Sequence, residues 1–230
     1  TFYRTYLGGR GIGYHYLLKD VSPRLDPFSP LNPLIFATGV MTGSPIAASC
    51  RFAAVGKSPL TGTAAESEAA GFFGPELKMA GFDAIVFRGK ADKPVYLWIT
   101  GGNAEIKDAS HLAGQGAREV EDKIREEMGS KRIRVAQTGL AGMNLVRFAN
   151  ITNNLGHFNG RDGFGALMGS KNVRAVAALG GEKIEFFDPE FLRKTAQDYA
   201  RTFKDNPQGK TLFVYGTTIF CEILSEAGAL

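Results

Sequence analysis

Two cysteines among 230 residues, Cys50 and Cys221, leave this sequence with no disulfide framework and no Cys-x-x-Cys metal pair. A reducing cytoplasm suits such a chain. Long apolar runs are missing as well: none approaches the roughly 20 residues that span a bilayer, and no basic-then-apolar leader opens the chain. The expectation is a protein without a membrane anchor. Charge of one sign is also scarce, because 27 basic residues against 23 acidic ones leave only +4. The basic residues are scattered instead of lining one helix face, so no nucleic-acid footprint is present. His15, His111 and His157 lie in separate elements without metal-ligand spacing, and no Gly-x-Ser-x-Gly elbow occurs. His111, within AspAlaSerHisLeu, reads as a capping or packing residue.

What is present is a globular composition, 44% hydrophobic, able to bury an ordinary core without staples. Thr1 is not an initiator and the chain stops just past an apparent helix cap, so both ends read as cuts. Residues 5–18 pass from a glycine-rich turn into apolar helical spacing; those glycines suit either an anion at the helix end or a tight entry turn. Strands are expected at 34–39, 51–56, 84–89, 95–100, 132–137, 146–151 and 173–179, with 84–89 and 95–100 joined as a hairpin through LysAlaAspLysPro. Helices are expected at about 75–80, 117–128 and 165–171. This order is mixed, with no regular βαβ alternation, and it predicts an α+β domain with substantial antiparallel sheet. Near Asp188 the composition changes: AspProGlu offers an N-cap, an N1 proline and an acidic first turn, and helices follow, the last at about 214–227.

Two stretches, 51–74 and 157–171, set cationic side chains among glycines and alanines, which lets bare backbone and positive charge approach a large anionic ligand together. In the first, Arg51 opens a strand, LysSerProLeuThrGly (57–62) turns, and GluSerGluAlaAlaGlyPhePheGly (66–74) leads into a helix. A phosphate near Arg51 and the amides of 69–71 would gain a guanidinium contact and helix-terminus donors. The alternative is a loop that packs closely because its residues are small. In the second, HisPheAsnGlyArgAspGlyPheGly (157–165) repeats the design, while both the Walker ending and the dinucleotide glycine spacing are missing. Arg161–Asp162 also fits a local turn pair worth about 0–1 kcal/mol. Glu66 and Glu68 suit an acid–base pair if burial raises a pKa, or two solvated carboxylates if it does not.

LeuGlyGlyArgGlyIleGly (7–13), AsnProLeuIlePheAlaThrGly (32–39), LysSerProLeuThrGly (57–62), the run 71–90 from GlyPhePheGlyProGluLeuLys to PheArgGlyLys, LysProValTyrLeuTrpIle (93–99) and GlyAlaLeuMetGlySerLysAsnValArgAlaVal (165–176) occur in this order. Together they closely resemble the aldehyde ferredoxin oxidoreductase family across essentially the whole chain. TyrGlyThr (215–217) and GluAlaGlyAlaLeu (226–230) look like the family's entry into its second domain. On this resemblance, residues 1–183 form an N-terminally truncated pterin-binding domain and 184–230 the start of a helical one.

The resemblance implies an oxygen-sensitive tungsten enzyme, occasionally accepting molybdenum, that oxidises small aldehydes to carboxylic acids. A [4Fe–4S] cluster, with ligands beyond residue 230, would pass electrons to ferredoxin, so neither Cys50 nor Cys221 is a cluster ligand and the fragment alone would be inactive. The implied fold is a saddle of two related, mostly antiparallel sheets carrying two pyranopterins whose phosphates are bridged by Mg2+. By motif position the pterin contacts fall on Arg51, Glu68 and Ala70, then on His157, Phe158, Gly160 and Arg161. Glu68 and Phe158 would reach the magnesium through backbone carbonyls. No catalytic side chain is assigned. Aldehyde-oxidising members tend to carry asparagine where Glu68 stands, glycine at Ala70, and arginine–alanine where His157–Phe158 stand. Relatives that reduce aromatic acyl thioesters, and a non-catalytic anion-binding or assembly homologue, are the alternatives. Self-association into a homo-oligomer is compatible with either.

Overall fold

The apolar run LeuIlePheAlaThr folds as strand β1 (Leu34–Thr38), and all of it is buried. A strand buried on both faces belongs inside a sheet. Strands β2 (Phe52–Lys57) and β4 (Ala84–Phe87) flank it antiparallel, and β3 (Ala64–Ala69) pairs with β2 at the edge. The order is β3-β2-β1-β4. A second sheet contains β5 (Val95–Thr100), β6 (Asn103–Asp108), β7 (Arg134–Thr138), β8 (Ile151–Asn153), β9 (His157–Asn159) and β10 (Val173–Leu179). Its order is β6-β5-β10-β7-β8-β9, and only the β5–β10 pairing is parallel. The fold is therefore α+β with two mostly antiparallel sheets.

The structure, a computed structural model, describes residues 1–229 and falls into two compact units. The larger comprises Thr1–Ser44 and Ala48–Ile184 and holds both sheets with helices α1 (Phe2–Tyr6), α2 (Gly9–Asp20), α3 (Phe73–Met79), α4 (Ala117–Glu127), α5 (Leu140–Met143) and α6 (Phe164–Ser170). Strand alternation sorts its core. Ile35 and Ala37 face α2 with Ala53 and Val55, meeting Ile12 and Leu17. Leu34 and Phe36 face the other way, joining Phe73 and Leu77 of α3, Phe164 and Leu167 of α6, and the inner face of the second sheet. The outer face of that sheet is covered by Val120 and Ile124 of α4. Phe36 is the aromatic centre of the middle layer, edge-on to Phe52, Phe73 and Phe87 at centroid distances of 5.4, 6.1 and 5.7 Å.

The smaller unit joins Pro45–Ala47 to the chain from Glu185 onward. Asp188 caps α7 (Pro189–Thr202), its Oδ1 accepting from the Phe191 amide at 2.8 Å, with proline in the first turn. After it come α8 (Pro207–Tyr215) and α9 (Phe220–Glu226). The single helix expected at 214–227 is instead divided by a 3-10 turn, Gly216–Ile219, which opens with Gly216 at φ +60°.

Two further expectations are corrected. Strands β4 and β5 form no hairpin but belong to different sheets. The intervening segment is anchored elsewhere: Gly89 donates to the Pro30 carbonyl, the Lys171 ammonium donates to the carbonyls of Pro30 and Gly89, and Asn172 Nδ2 donates to that of Ala91. Residues 146–150 form turns and not a strand, because Leu145 takes φ +58° and the amides of Val146 and Ala149 are satisfied locally by Ala141 and Val146. Strand β3, rich in alanine and glutamate, and the exposed, charge-rich edge strand β6 were not anticipated.

Truncation Phe36→Ala is expected to cost about 3–5 kcal/mol, read from the denaturant midpoint, since it empties the centre of the middle layer. Lys171 is fully buried, and burial pushes its ammonium down from 10.5 to about 8. Between those values the unfolded chain binds the extra proton, so this residue makes stability rise with pH from about 8 to 10.5. Denaturation midpoints across that window should show the rise in the native protein and lose it in Lys171→Met.

Candidate functional site

Strands β3 and β9 are edge strands of the two sheets, and they lie beside each other. Their junction is made by side chains reaching backbone. Asn159 Nδ2 donates to the Ser67 carbonyl at 2.7 Å, and the Arg161 amide donates to Ser67 Oγ at 3.2 Å. A little further along, Asn153 Nδ2 donates to the Ala70 carbonyl at 3.0 Å and the Phe72 amide donates to Asn154 Oδ1 at 2.8 Å. Gly71 sits at φ +103° between them, and a Cβ there would come within 2.2 Å of Asn153 Oδ1 and 2.9 Å of the His157 ring.

Alternation along β3 buries Ala65, Ser67 and Ala69 and turns Glu66 and Glu68 to the opposite face. In register they stand opposite Val55 and Ala53, the residues that pack under α2. Glu66 is thereby placed 3.3 Å from Arg10 in the first turn of α2. Two adjoining cavities open along this face. One, of about 290 Å³, is lined by Gly9, Gly39, Thr42, Arg51 and Glu68 among others. The other, of about 390 Å³, is lined by Arg10, Glu66, Glu68, Phe158, Gly160 and Arg161. Glu68 belongs to both.

Five of the seven residues singled out in the sequence, Arg51, Glu68, Phe158, Gly160 and Arg161, thus line one groove. Ala70 and His157 line neither cavity; their carbonyls converge on Asn153 Nδ2, at 3.0 and 3.5 Å. His157 opens β9, a short strand not among those expected. Arg10, Asn159 and Thr42 escaped the sequence reading. For Arg10 the signal was present in the glycine-rich helix start; for the other two it was not, because their roles depend on strands distant in sequence. His15 stacks among Phe2, Tyr6 and Tyr16, and His111 pairs with Glu127 at 3.4 Å, both outside the groove.

The electrostatics of the groove suit an anion. Arg51 and Arg161 are exposed, and among the described residues neither guanidinium has a hydrogen bond or ion pair. Arg10 is engaged by Glu66, and Glu68 has no protein partner. Burial pushes the Tyr14 phenol up, helped by the charges of Glu66 and Asp162, so it stays protonated beside them. At Gly160 an added Cβ would meet only the Phe158 Cβ, 3.9 Å away, so bare backbone is offered to the cavity. Unpaired guanidiniums, open backbone and one free carboxylate are a donor set for phosphate esters accompanied by a divalent cation. Among the described residues no group of three or more histidine, cysteine or acidic side chains could hold a metal alone, and no helix is long and apolar enough to cross a membrane.

Two mostly antiparallel sheets joined edge to edge, beside a groove that carries two unpartnered arginines, define an α+β domain. The model of the aldehyde ferredoxin oxidoreductase N-terminal domain matches residues 1–180, and the chain belongs to that family. It is 44% identical to a tungsten-containing aldehyde ferredoxin oxidoreductase of Pyrococcus abyssi over 99% of its own length, and 42% identical to one of Pyrococcus furiosus over 98%. It spans 38% and 37% of those proteins. It also resembles the solved active-site complex BamBC of benzoyl coenzyme A reductase with 1,5-dienoyl-CoA, at a TM-score of 0.85 and 39% identity, covering 90% of this chain and 31% of that one.

The junction makes a direct prediction. Gly62 and Gly71 both have positive φ, but only Gly71 is crowded. Gly62→Ala should cost about 1 kcal/mol in denaturation, the left-handed backbone penalty alone. Gly71→Ala should cost at least twice as much.

Proposed function

We propose that this chain is the pterin-cradling part of a tungsten-dependent oxidoreductase that converts aldehydes to carboxylic acids and delivers the electrons to ferredoxin. The observation that carries the reading is the pair of unpartnered guanidiniums, Arg51 and Arg161, flanking Glu68 in adjoining cavities of a member of this family. When bound, a tungsten bis-pyranopterin supplies the redox chemistry. The residues of this chain hold it. Arg51 and Arg161 neutralise phosphate oxygens, while the backbone at Ala70, His157 and Gly160 follows the pterin edges. Glu68 and the Phe158 carbonyl would hold a Mg2+ ion, whose charge would offset that of the Glu68 carboxylate. The ligands of a [4Fe–4S] cluster belong to sequence outside these residues, and a reducing, anaerobic cytoplasm fits the two free cysteines.

A second reading is favoured by one observation, the likeness to the benzoyl coenzyme A reductase complex. It keeps the cradle and changes the reaction to reduction of an aromatic acyl thioester. Full-length protein supplied separately with aldehydes and with an aryl thioester tells the two apart, turnover of the aldehydes being expected.

Full-length protein produced anaerobically with tungstate should contain tungsten and releasable pterin by elemental analysis and fluorimetry. A folded protein lacking tungsten, molybdenum and pterin overturns the proposal. Loss of a charge-assisted hydrogen bond costs about 1.5–3 kcal/mol, so Arg51→Ala and Arg161→Ala should each weaken cofactor retention roughly ten- to hundredfold without unfolding the domain.

A further inference from the structure

The Arg51 guanidinium has no protein partner, but the Arg51 backbone is held tightly. The Thr42 hydroxyl donates to the Arg51 carbonyl at 2.8 Å and accepts from the Gly39 amide at 2.9 Å. Thr42 is only 4% exposed, and its own amide returns to the Gly39 carbonyl at 3.1 Å. This turn is fixed from below by Lys78 of α3, whose ammonium donates to the Gly39 carbonyl at 2.7 Å and is itself held by the Tyr3 hydroxyl at 3.1 Å and Asp83 at 3.4 Å. On its other side the Arg51 peptide lies against Gly74. A Cβ at Gly74 would stand 2.9 Å from the Cys50 carbonyl oxygen and 3.3 Å from the Arg51 carbonyl.

One hydroxyl therefore satisfies a donor and an acceptor that belong to two walls of the same cavity, since Gly39, Thr42 and Arg51 all line it. A long, flexible guanidinium with no side-chain restraint loses less freedom on binding if its backbone origin is already fixed. We infer that Thr42 is a positioning residue for the phosphate-bearing ligand of the groove, acting through Arg51; this rests on the phosphate role given to Arg51 above. Valine is nearly isosteric but has no hydroxyl, so Thr42→Val leaves the part-buried Gly39 amide and Arg51 carbonyl without that partner. Serine restores both bonds.

The experiment measures tungsten and pterin per folded polypeptide in anaerobically prepared full-length protein. It compares the native protein, Thr42→Val, Thr42→Ser, Arg51→Ala and the Thr42→Val/Arg51→Ala double variant, with folded fraction taken from the thermal transition. Thr42→Val should retain several-fold less cofactor than the native protein, Thr42→Ser should be close to native, and the double variant should fall no lower than Arg51→Ala alone. Normal retention in Thr42→Val beside a loss in Arg51→Ala overturns the inference while sparing the phosphate role of Arg51. So does a double variant whose losses multiply, or a Thr42→Val loss that disappears once folded protein is counted. Full retention in Arg51→Ala removes the phosphate role and the Thr42 inference with it.

Discussion

The groove exists because two sheet edges are joined through side chains and not through a backbone ladder. An edge strand offers a row of amides and carbonyls, and two such edges brought together could zip into one continuous sheet. Here Asn159 and Ser67 stand between β3 and β9, the Asn159 amide giving its hydrogen bond to the Ser67 carbonyl and the Ser67 hydroxyl taking one from the Arg161 backbone. The Ser67 carbonyl and the Arg161 amide are thus satisfied while the edges stay a side chain apart. Asn159 and Ser67 are both buried, so breaking either bond leaves a buried polar group without its partner. The same contact fixes where Arg161 begins and, through Ser67, which way Glu66 and Glu68 turn.

From that constraint follows the charge pattern. Arg10 and Glu66 cancel each other across α2 and β3, which leaves Arg51, Arg161 and Glu68 as the groove's uncompensated groups. Two exposed arginines near one carboxylate are stable in water without a ligand, because screening keeps their interactions small. Once a bulky anion excludes water, those interactions strengthen and the balance of signs begins to matter. On the proposed reading Glu68 would then need a cation beside it, and it lines both cavities. A carboxylate at this position is thus consistent with a cradle for paired phosphates.

Much of this was legible in the sequence, and the illegible parts share a cause. Strand β1 announces itself by apolar residues alone, α4 by the spacing of Val120 and Ile124, and α7 by Asp188 and Pro189, all local signals. Strand β3 hides in AlaAlaGluSerGluAla because only one of its faces is buried and that face is lined with alanine and serine. The mistaken hairpin between β4 and β5 has a similar origin. LysAlaAspLysPro looks like a turn, but Lys171, more than 70 residues later, binds the carbonyl of Gly89 and carries the chain over to the second sheet. At the site, the cationic and small residues could be read directly. The asparagines and the threonine that place them could not, because each acts on backbone from another part of the chain.

The division between holding and placing also bears on how one domain can serve different reactions. The chain is 44% identical to an aldehyde ferredoxin oxidoreductase and 39% identical to a benzoyl coenzyme A reductase component, with most of its length aligned in both. If the groove holds a cofactor through its phosphates, as proposed, those contacts do not depend on which substrate reacts. On the proposed reading, the asparagine junction and the Thr42 hydroxyl serve that grip. Selection for a new substrate would then leave these residues unchanged, and a shared saddle with divergent chemistry is what such a domain should yield.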